Sequence, residues 1–293
     1  MHTSRLLLLV LSFCVVCLSA SGQQTASTSS PPATSDPQAV ALVQRSLTSL
    51  AGRVTVKDVT LTGNAQWIAG SDDKTGTATV TAMAGGYSKL SLNLPSELRN
   101  EIRNPSAIPL PGALPPNAPA AVAQASQSAG AWSGPDGVLH PMVSHNVMTD
   151  ATWFFPAFTL ANITSSQTYV LSYAGQETLN GQSVLRVSAS QQLPTLSNVP
   201  AQMAGLPQHL SQMDVYLDPT TSLPVALAFN AHPDGNALLD IPVQIQFSNY
   251  QPINGLLVPL HVQKYVNNSL VLDLQFNTAT LNTGLTAASF QLQ

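Results

Sequence analysis

Charged side chains are scarce in this sequence, and their scarcity argues against one large class of partner. Asp, Glu, Lys and Arg make up 8% of the 293 residues, against about 25% in ordinary soluble domains. The ten Lys and Arg residues form no cluster, and the formal net charge is −4. Because nucleic-acid binding needs basic groups that neutralise phosphates, we expect no nucleic-acid partner.

Cysteine is absent beyond the first residues of the chain. Cys14 and Cys17 are the only two cysteines, and both lie in a short apolar run that follows Arg5 and ends in small residues. This layout predicts a secretory signal peptide over residues 1–22, too short for a permanent membrane span; an uncleaved anchor is the alternative. The mature chain would begin at Gln23 without a thiol for a disulfide, a zinc site or a nucleophile.

The common catalytic motifs are also missing. No G-x-S-x-G, H-E-x-x-H or C-x-x-C occurs after residue 22. Ser71 and Lys74 form an S-x-x-K pattern, but Gly70 and Gly76 enclose it in a polar turn without the helix that this chemistry requires. We therefore predict no catalytic residue and no cofactor, and a secreted enzyme is the least supported class of function.

The histidines show no metal-ligand spacing. His140 and His145 are the nearest pair, and Pro141 interrupts any regular element that could make their rings converge. They are interpreted as loop histidines, and the remaining candidates are isolated in sequence: His209, His232 and His261. The sequence therefore predicts no metal site.

Helical signals begin where a polar leader over residues 23–35 ends. Asp36 occupies an N-cap position, Pro37 the first helical position and Gly52 a C-terminal cap position. Apolar residues follow at helical spacing: Val40, Val43, Leu47 and Leu50. This pattern predicts an amphipathic helix over residues 37–51 that lies on an apolar surface.

Beyond this helix, most of the chain alternates with the period of a β-strand. In the first such segment one face carries Val59, Leu61, Gly63, Ala65 and Trp67. Hairpin turns are predicted at Asn180-Gly181, Asn254-Gly255 and Asn267-Asn268. In the last strand Leu270, Leu272, Leu274 and Phe276 should face one side, and Val271, Asp273 and Gln275 the other. About ten or eleven antiparallel strands with few helices are expected, in an α+β arrangement.

One segment carries too many prolines for regular structure. Residues 95–134 are predicted to be a long loop insertion without central strands, in a single domain over residues 36–293. Within it, residues 120–128 could form a short helix. A second short helix is suggested by the ionic residues Glu97, Arg99, Glu101 and Arg103.

Two turn motifs carry a family resemblance. The chain contains D-x-x-T-x-L-P and Y-x-x-x-N-G-x-x-x-P, followed by a closing Asn-containing strand and a terminal Phe: Asp218, Thr221, Leu223, Pro224, Tyr250, Asn254, Gly255, Pro259, Asn277 and Phe290. Over roughly residues 168–292 this resembles the periplasmic lipoprotein-carrier (LolA-like) superfamily, of which the chain would be a secreted bacterial branch. The resemblance implies a curved, open half-barrel with helices on its apolar concave side, where relatives hold acyl chains.

Two functions stay open from the sequence. The first is a noncatalytic exported protein that holds an acyl or lipid-like ligand, or a lipidated protein. Its predicted ligand-binding residues are Leu47, Trp67, Trp153, Phe154, Phe155 and Phe158, the last four from the densest aromatic cluster of the chain. The second is an envelope-assembly or protein-interaction module whose barrel is filled by helices. A cavity beside the aromatic cluster would favour the first function, and a filled core the second.

Overall fold

The computed structural model describes residues 34–109, 127–192 and 205–291. The predicted signal peptide, most of the leader and most of the predicted helix over residues 120–128 lie outside these ranges. In the described ranges no helix has the length and apolar character that a membrane crossing requires.

The first helix, α1 (Pro37–Ala51), forms as the sequence predicts. The side chain of Asp36 accepts a hydrogen bond from the backbone N–H of Gln38 at 2.8 Å, and Gly52 ends the helix with a φ of 55°. One face is buried: Ala39, Leu42, Val43, Ser46, Leu50 and Ala51. Val40 and Leu47, also predicted on this face, are half-buried and pack against the core.

Within the residues that the structure describes, thirteen strands form one antiparallel sheet. They are β1 (Asp58–Ala69), β2 (Asp72–Met83), β3 (Tyr87–Leu94), β4 (Glu97–Pro109), β5 (Gln127–Ser133), β6 (Leu139–Pro141), β7 (Tyr169–Leu179), β8 (Gln182–Gln191), β9 (Met213–Leu217), β10 (Pro224–Ala231), β11 (Ile241–Ile253), β12 (Leu256–Val266) and β13 (Ser269–Leu281). The predicted hairpin turns are confirmed, because Asn180, Asn254 and Asn267 adopt the positive φ that such turns require.

The sheet consists of two meanders joined in its middle. Its order is β6-β5-β4-β3-β2-β1-β13-β12-β11-β10-β9-β8-β7, so β1 and β13 form the joint, and β6 and β7 are the edges of the sheet that the described residues form. Two further helices, α2 (Pro156–Ser165) and α3 (Leu206–Leu210), and two 3-10 turns, Asn146–Met148 and Ala287–Ser289, complete the described elements.

The sheet curls around α1. This helix contacts α2, the edge strand β7 with its neighbour β8, and β12, which lies five places from β7 in the sheet. One helix can reach both places only from the concave side of a curved sheet. The predicted α+β open half-barrel with helices on its concave face is thereby confirmed.

The prediction for residues 95–134 is wrong at both ends of the segment. Residues 97–109 form β4 and residues 127–133 form β5, and both strands are internal to the sheet. The ionic residues predicted on a short helix lie on β4 instead. Pro105 is tolerated because the β4–β5 pairing shifts register between Arg103 and Ile108. The sheet therefore has more strands than the ten or eleven expected.

The predicted register of β13 is confirmed from Leu272 to Phe276 but not at Val271, which packs against the main core where the β12–β13 pairing shifts register. Leu272 pairs with Trp67, and Leu274 pairs with Ala65, so these leucines face the concave core. Asp273 points to the opposite face, where it accepts hydrogen bonds from the amide of Gln263 at 2.7 Å and contacts His261 Nε2 at 3.0 Å. Asp273 is therefore buried by polar neighbours on the convex face and not by the apolar core.

Candidate functional site: a concave cavity lined by the three tryptophans

A cavity of about 620 Å³ opens on the concave face, within the size range of small-molecule sites. One wall comes from β3, β4 and β5, and the other from β1, β12 and β13. The main apolar lining residues are Trp67, Leu90, Leu92, Trp132, Val266 and Leu272. Trp132 is 43% exposed, an unusual position for so large an apolar ring. The cavity therefore presents an accessible apolar surface.

A second cavity of about 240 Å³ adjoins the first. Four residues line both: Glu101, Trp132, Lys264 and Val266. The smaller cavity extends to Trp153, so all three tryptophans of the chain line this pair of cavities. We call the two together the concave groove.

A row of charges on β4 borders the groove. Alternation along the strand brings Glu97, Arg99, Glu101 and Arg103 to its concave face, opposite Leu90 and Leu92 of β3. The guanidinium of Arg99 lies 3.8 Å from the ring centroid of Trp67 and donates to Glu97 at 3.0 Å. This hydrogen bond from Arg99, which outweighs the opposing effect of burial, lowers the pKa of Glu97. These charges are therefore compensated within the row.

Lys264 differs from the charged residues of β4 in its surroundings. It lines both cavities, and its Nζ lies 4.9 Å from the ring centroid of Trp153. In the ranges that the structure describes, no carboxylate forms an ion pair with Lys264. An ammonium group without a carboxylate ion pair among the described residues, beside the apolar Trp132 and Val266, is suited to the anionic end of an otherwise apolar molecule.

The structure divides the predicted ligand-binding residues into two groups. Trp67 and Trp153 line the concave groove. The remaining four lie outside both cavities: Leu47, Phe154, Phe155 and Phe158. The three phenylalanines are at most 3% exposed and belong to the main core, with the rings of Phe155 and Phe158 4.9 Å apart. At this end the barrel is filled, and the open space begins at Trp153.

Sequence reasoning missed half of the groove. Trp132 and Arg99 lie in the segment interpreted as a loop, and Lys264 carries no local signal that distinguishes it. The signal for β4 is the alternation in ELRNEIRN, residues 97–104, where ionic side chains recur every second residue. This signal is ambiguous because Glu97 and Glu101 are also four residues apart, which fits a helix equally well.

The structure also places the remaining polar candidates. Ser71 lies in the turn between β1 and β2, as predicted, and Lys74 pairs with Glu97 at 3.2 Å. His140 stacks on Trp132 with centroids 4.2 Å apart, and its Nε2 lies 2.7 Å from Asp136.

Of the three histidines that are isolated in sequence, the fold brings His209 and His232 together. The rings of His209, on α3, and His232, just after β10, lie 5.3 Å apart. Burial, opposed by a hydrogen bond to Asp240, lowers the pKa of His232. His261 lies on β12 and contacts Asp273.

The fold and the groove define an open half-barrel with an accessible concave lining. Similar solved structures include a domain described as an outer membrane lipoprotein-sorting protein from Vibrio parahaemolyticus, with 14% identity and a TM-score of 0.46 over 86% of this chain and 96% of that chain. A DUF1329 family protein from Desulfovibrio piger has 11% identity and a TM-score of 0.49, covering 88% and 98%. A LolA superfamily protein from Nitrosomonas europaea has 9% identity and a TM-score of 0.48, covering 87% and 97%.

The superfamily that the sequence motifs resemble is thus represented among the similar structures. No protein-family model matches the chain, and no curated protein sequence matches it. At these identities and TM-scores the likeness concerns the fold alone, so the argument for a ligand rests on the groove.

Proposed function

We propose that this chain is an exported, noncatalytic binding protein that holds an acyl or lipid-like ligand in the concave groove. The observation that carries the proposal is the continuity of the two cavities past all three tryptophans, with a half-exposed apolar ring at their junction. Such a lining costs free energy while it faces water, and a ligand that covers it recovers that cost.

The energetics are adequate for an acyl chain. Each buried methylene contributes about 0.8 kcal/mol, so a long chain supplies on the order of 10 kcal/mol before the costs of ordering it are subtracted. The acyl chain would lie along Trp67, Leu92 and Trp132, with its anionic end near Lys264. A lipidated protein would offer the same chemistry through its acyl group.

The tryptophans themselves provide the test. A long-chain fatty acid that carries bromine midway along its acyl chain quenches indole fluorescence on contact. We expect saturable quenching of the purified mature protein, reversed by the unbrominated fatty acid. Trp132→Ala should weaken binding about tenfold, equivalent to roughly 1.4 kcal/mol, while Trp67 and Trp153 still report it.

Leu98→Ala is the matched control. Leu98 lies on β4 between Glu97 and Arg99, so its side chain points to the opposite, convex face of the sheet. It is 52% exposed there. Its replacement should leave the affinity unchanged. A protein that shows no saturable quenching would contradict the proposal and favour the protein-interaction alternative with a filled barrel.

Export is the second part of the proposal, supported by the N-terminal sequence pattern. Expression in a bacterial host followed by cell fractionation should place the protein outside the cytoplasm. Sequencing of the purified product should then begin at Gln23. A product that retains Met1 and stays in the cytoplasm would contradict export without affecting the ligand proposal.

A further inference from the structure

Three metal-ligating side chains converge at one end of the β10–β11 hairpin. Ala231 pairs with Ile241 in the last rung of this hairpin, so His232 and Asp240 are the first and last residues of the loop that joins its two strands. His209, on α3, comes to the same place from a separate segment. One ligand atom from each of the three residues lies within 4.8 Å of the other two.

The distances match the coordination sphere of a small cation. Nε2 of His209 and Nε2 of His232 each lie 3.1 Å from Oδ1 of Asp240. Ligand atoms bound about 2.0–2.2 Å from a tetrahedral zinc ion are themselves about 3.3 Å apart. Two of the three separations are therefore close to an edge of such a tetrahedron, and the third, between the two imidazole nitrogens, is within 4.8 Å.

Hydrogen bonding alone does not satisfy the cluster. Nε2 of His209 is shielded from solvent and, despite its 3.1 Å contact with Asp240, has no hydrogen bond of acceptable angle among the described residues. Two imidazole nitrogens thus point at one carboxylate oxygen, and only that of His232 is hydrogen-bonded to it. A divalent cation among the three atoms would engage both nitrogens and the oxygen at once.

The backbone of His232 is held independently of any ion. The side-chain amide of Asn146 donates to the carbonyl of His232 at 2.7 Å and accepts from its N–H at 3.0 Å. Nε2 of His145 lies 3.1 Å from the carbonyl oxygen of Pro233. The histidine side chain is fully buried, so its position is fixed before a ligand binds.

We propose that His209, His232 and Asp240 form a zinc site that ties α3 to the β10–β11 hairpin. Two imidazoles and a carboxylate are a donor set that zinc commonly takes. Neither His209 nor Asp240 lines the concave groove. Asn146 and Ala231, beside His232, line the smaller cavity of the groove, but none of the three proposed zinc ligands does. Zinc binding and fatty-acid binding are measured separately, so either proposal can fail without the other.

The test is a calorimetric titration of the mature full-length protein with zinc sulfate after treatment with a chelator. We expect one zinc per chain and a rise in the melting temperature on zinc addition. His209→Ala and Asp240→Asn should each weaken binding at least tenfold and abolish the rise. Both side chains are partly exposed, at 32% and 42%, so these variants should keep the fold, which circular dichroism checks.

His261→Ala is the matched control, because His261 also contacts an aspartate, Asp273 at 3.0 Å, but has no second histidine at that contact. It should bind zinc like the wild type. The proposal is overturned if the wild type binds no zinc, or if folded His209→Ala binds it as tightly as the wild type.

Discussion

Asp58 is a buried carboxylate that fixes the C-terminal segment to the start of β1. It is 2% exposed. Its oxygens accept hydrogen bonds from the N–H and hydroxyl of Thr283 at 2.7 and 2.8 Å, from the N–H of Gly284 at 2.9 Å and from that of Leu285 at 3.3 Å. Burial by itself would raise the pKa of Asp58, but these bonds outweigh it and lower the pKa below its ordinary value of 3.8.

The lowered pKa makes the contribution of Asp58 dependent on pH. A carboxylate with a lower pKa in the folded than in the unfolded chain stabilises the fold above the unfolded pKa, and this contribution is lost as the pH falls through the folded pKa. Asp58→Asn should therefore lower the free energy of unfolding at pH 7 by about 1.5–3 kcal/mol. Urea unfolding at pH 7 and at about pH 3 should show that the difference in the free energy of unfolding between the wild type and Asp58→Asn is smaller at the lower pH. Asp72 is exposed, and Asp72→Asn should have little effect on the free energy of unfolding at either pH.

Gly63 controls how closely β1 and β13 approach. The pairing shifts register between Thr62 and Gly63, and a Cβ at Gly63 would lie 2.1 Å from the carbonyl oxygen of Gln275. Backbone atoms cannot yield to such a contact as a flexible side chain can. Gly63→Ala should destabilise the protein by about 1–3 kcal/mol, as overpacking does, measured by urea unfolding. At Gly235 an added Cβ would meet no atom of the described residues within 4 Å, and Gly235→Ala should be nearly neutral.

At the scale of elements, the apolar residues on one face of α1 are buried to different extents. Leu50 is 1% exposed, whereas Leu47 is half-buried. Leu50→Ala should cost about 2–5 kcal/mol through the cavity that it leaves, and Leu47→Ala should cost less. Urea unfolding of both variants tests this order. An equal loss for both would mean that the helix sits differently on the sheet.

Elements with local signals were predictable from the sequence, and those without them were not. The cap at Asp36 and the turn at Asn254 each require a particular residue type, so α1 and the hairpins could be assigned. In β4 the ionic residues fit two periods, and Pro105 argued against a strand that a register shift makes possible. The contacts of Trp132 and His209 are with residues far away in the sequence. The spacing of nearby residues cannot predict such contacts.

At the scale of the molecule, the pairing of β1 with β13 holds the two meanders in one sheet. A chain that ends at Asn268 lacks β13, and β1 and β12 then lose the strand that lies between them. We expect this truncated protein to lose its cooperative urea transition, because β1 and β12 both become edge strands.

A chain that ends at Leu281 is the control. It keeps β13 but loses the bonds between Asp58 and the C-terminal segment, so it should unfold cooperatively at lower stability. A chain ending at Asn268 that unfolds like the full-length protein would contradict the role assigned to the joint.

The central position of the β1–β13 joint also determines when the sheet can be completed during synthesis of the chain. Among the strands of the described residues, a ribosome makes β1 first and β13 last, and at about 5–20 residues per second their syntheses are separated by roughly 10–40 seconds. During that interval one edge of β1 offers unpaired backbone groups to any strand nearby. The nascent chain cannot finish its sheet from the beginning onward, and must wait for its own last strand to be made.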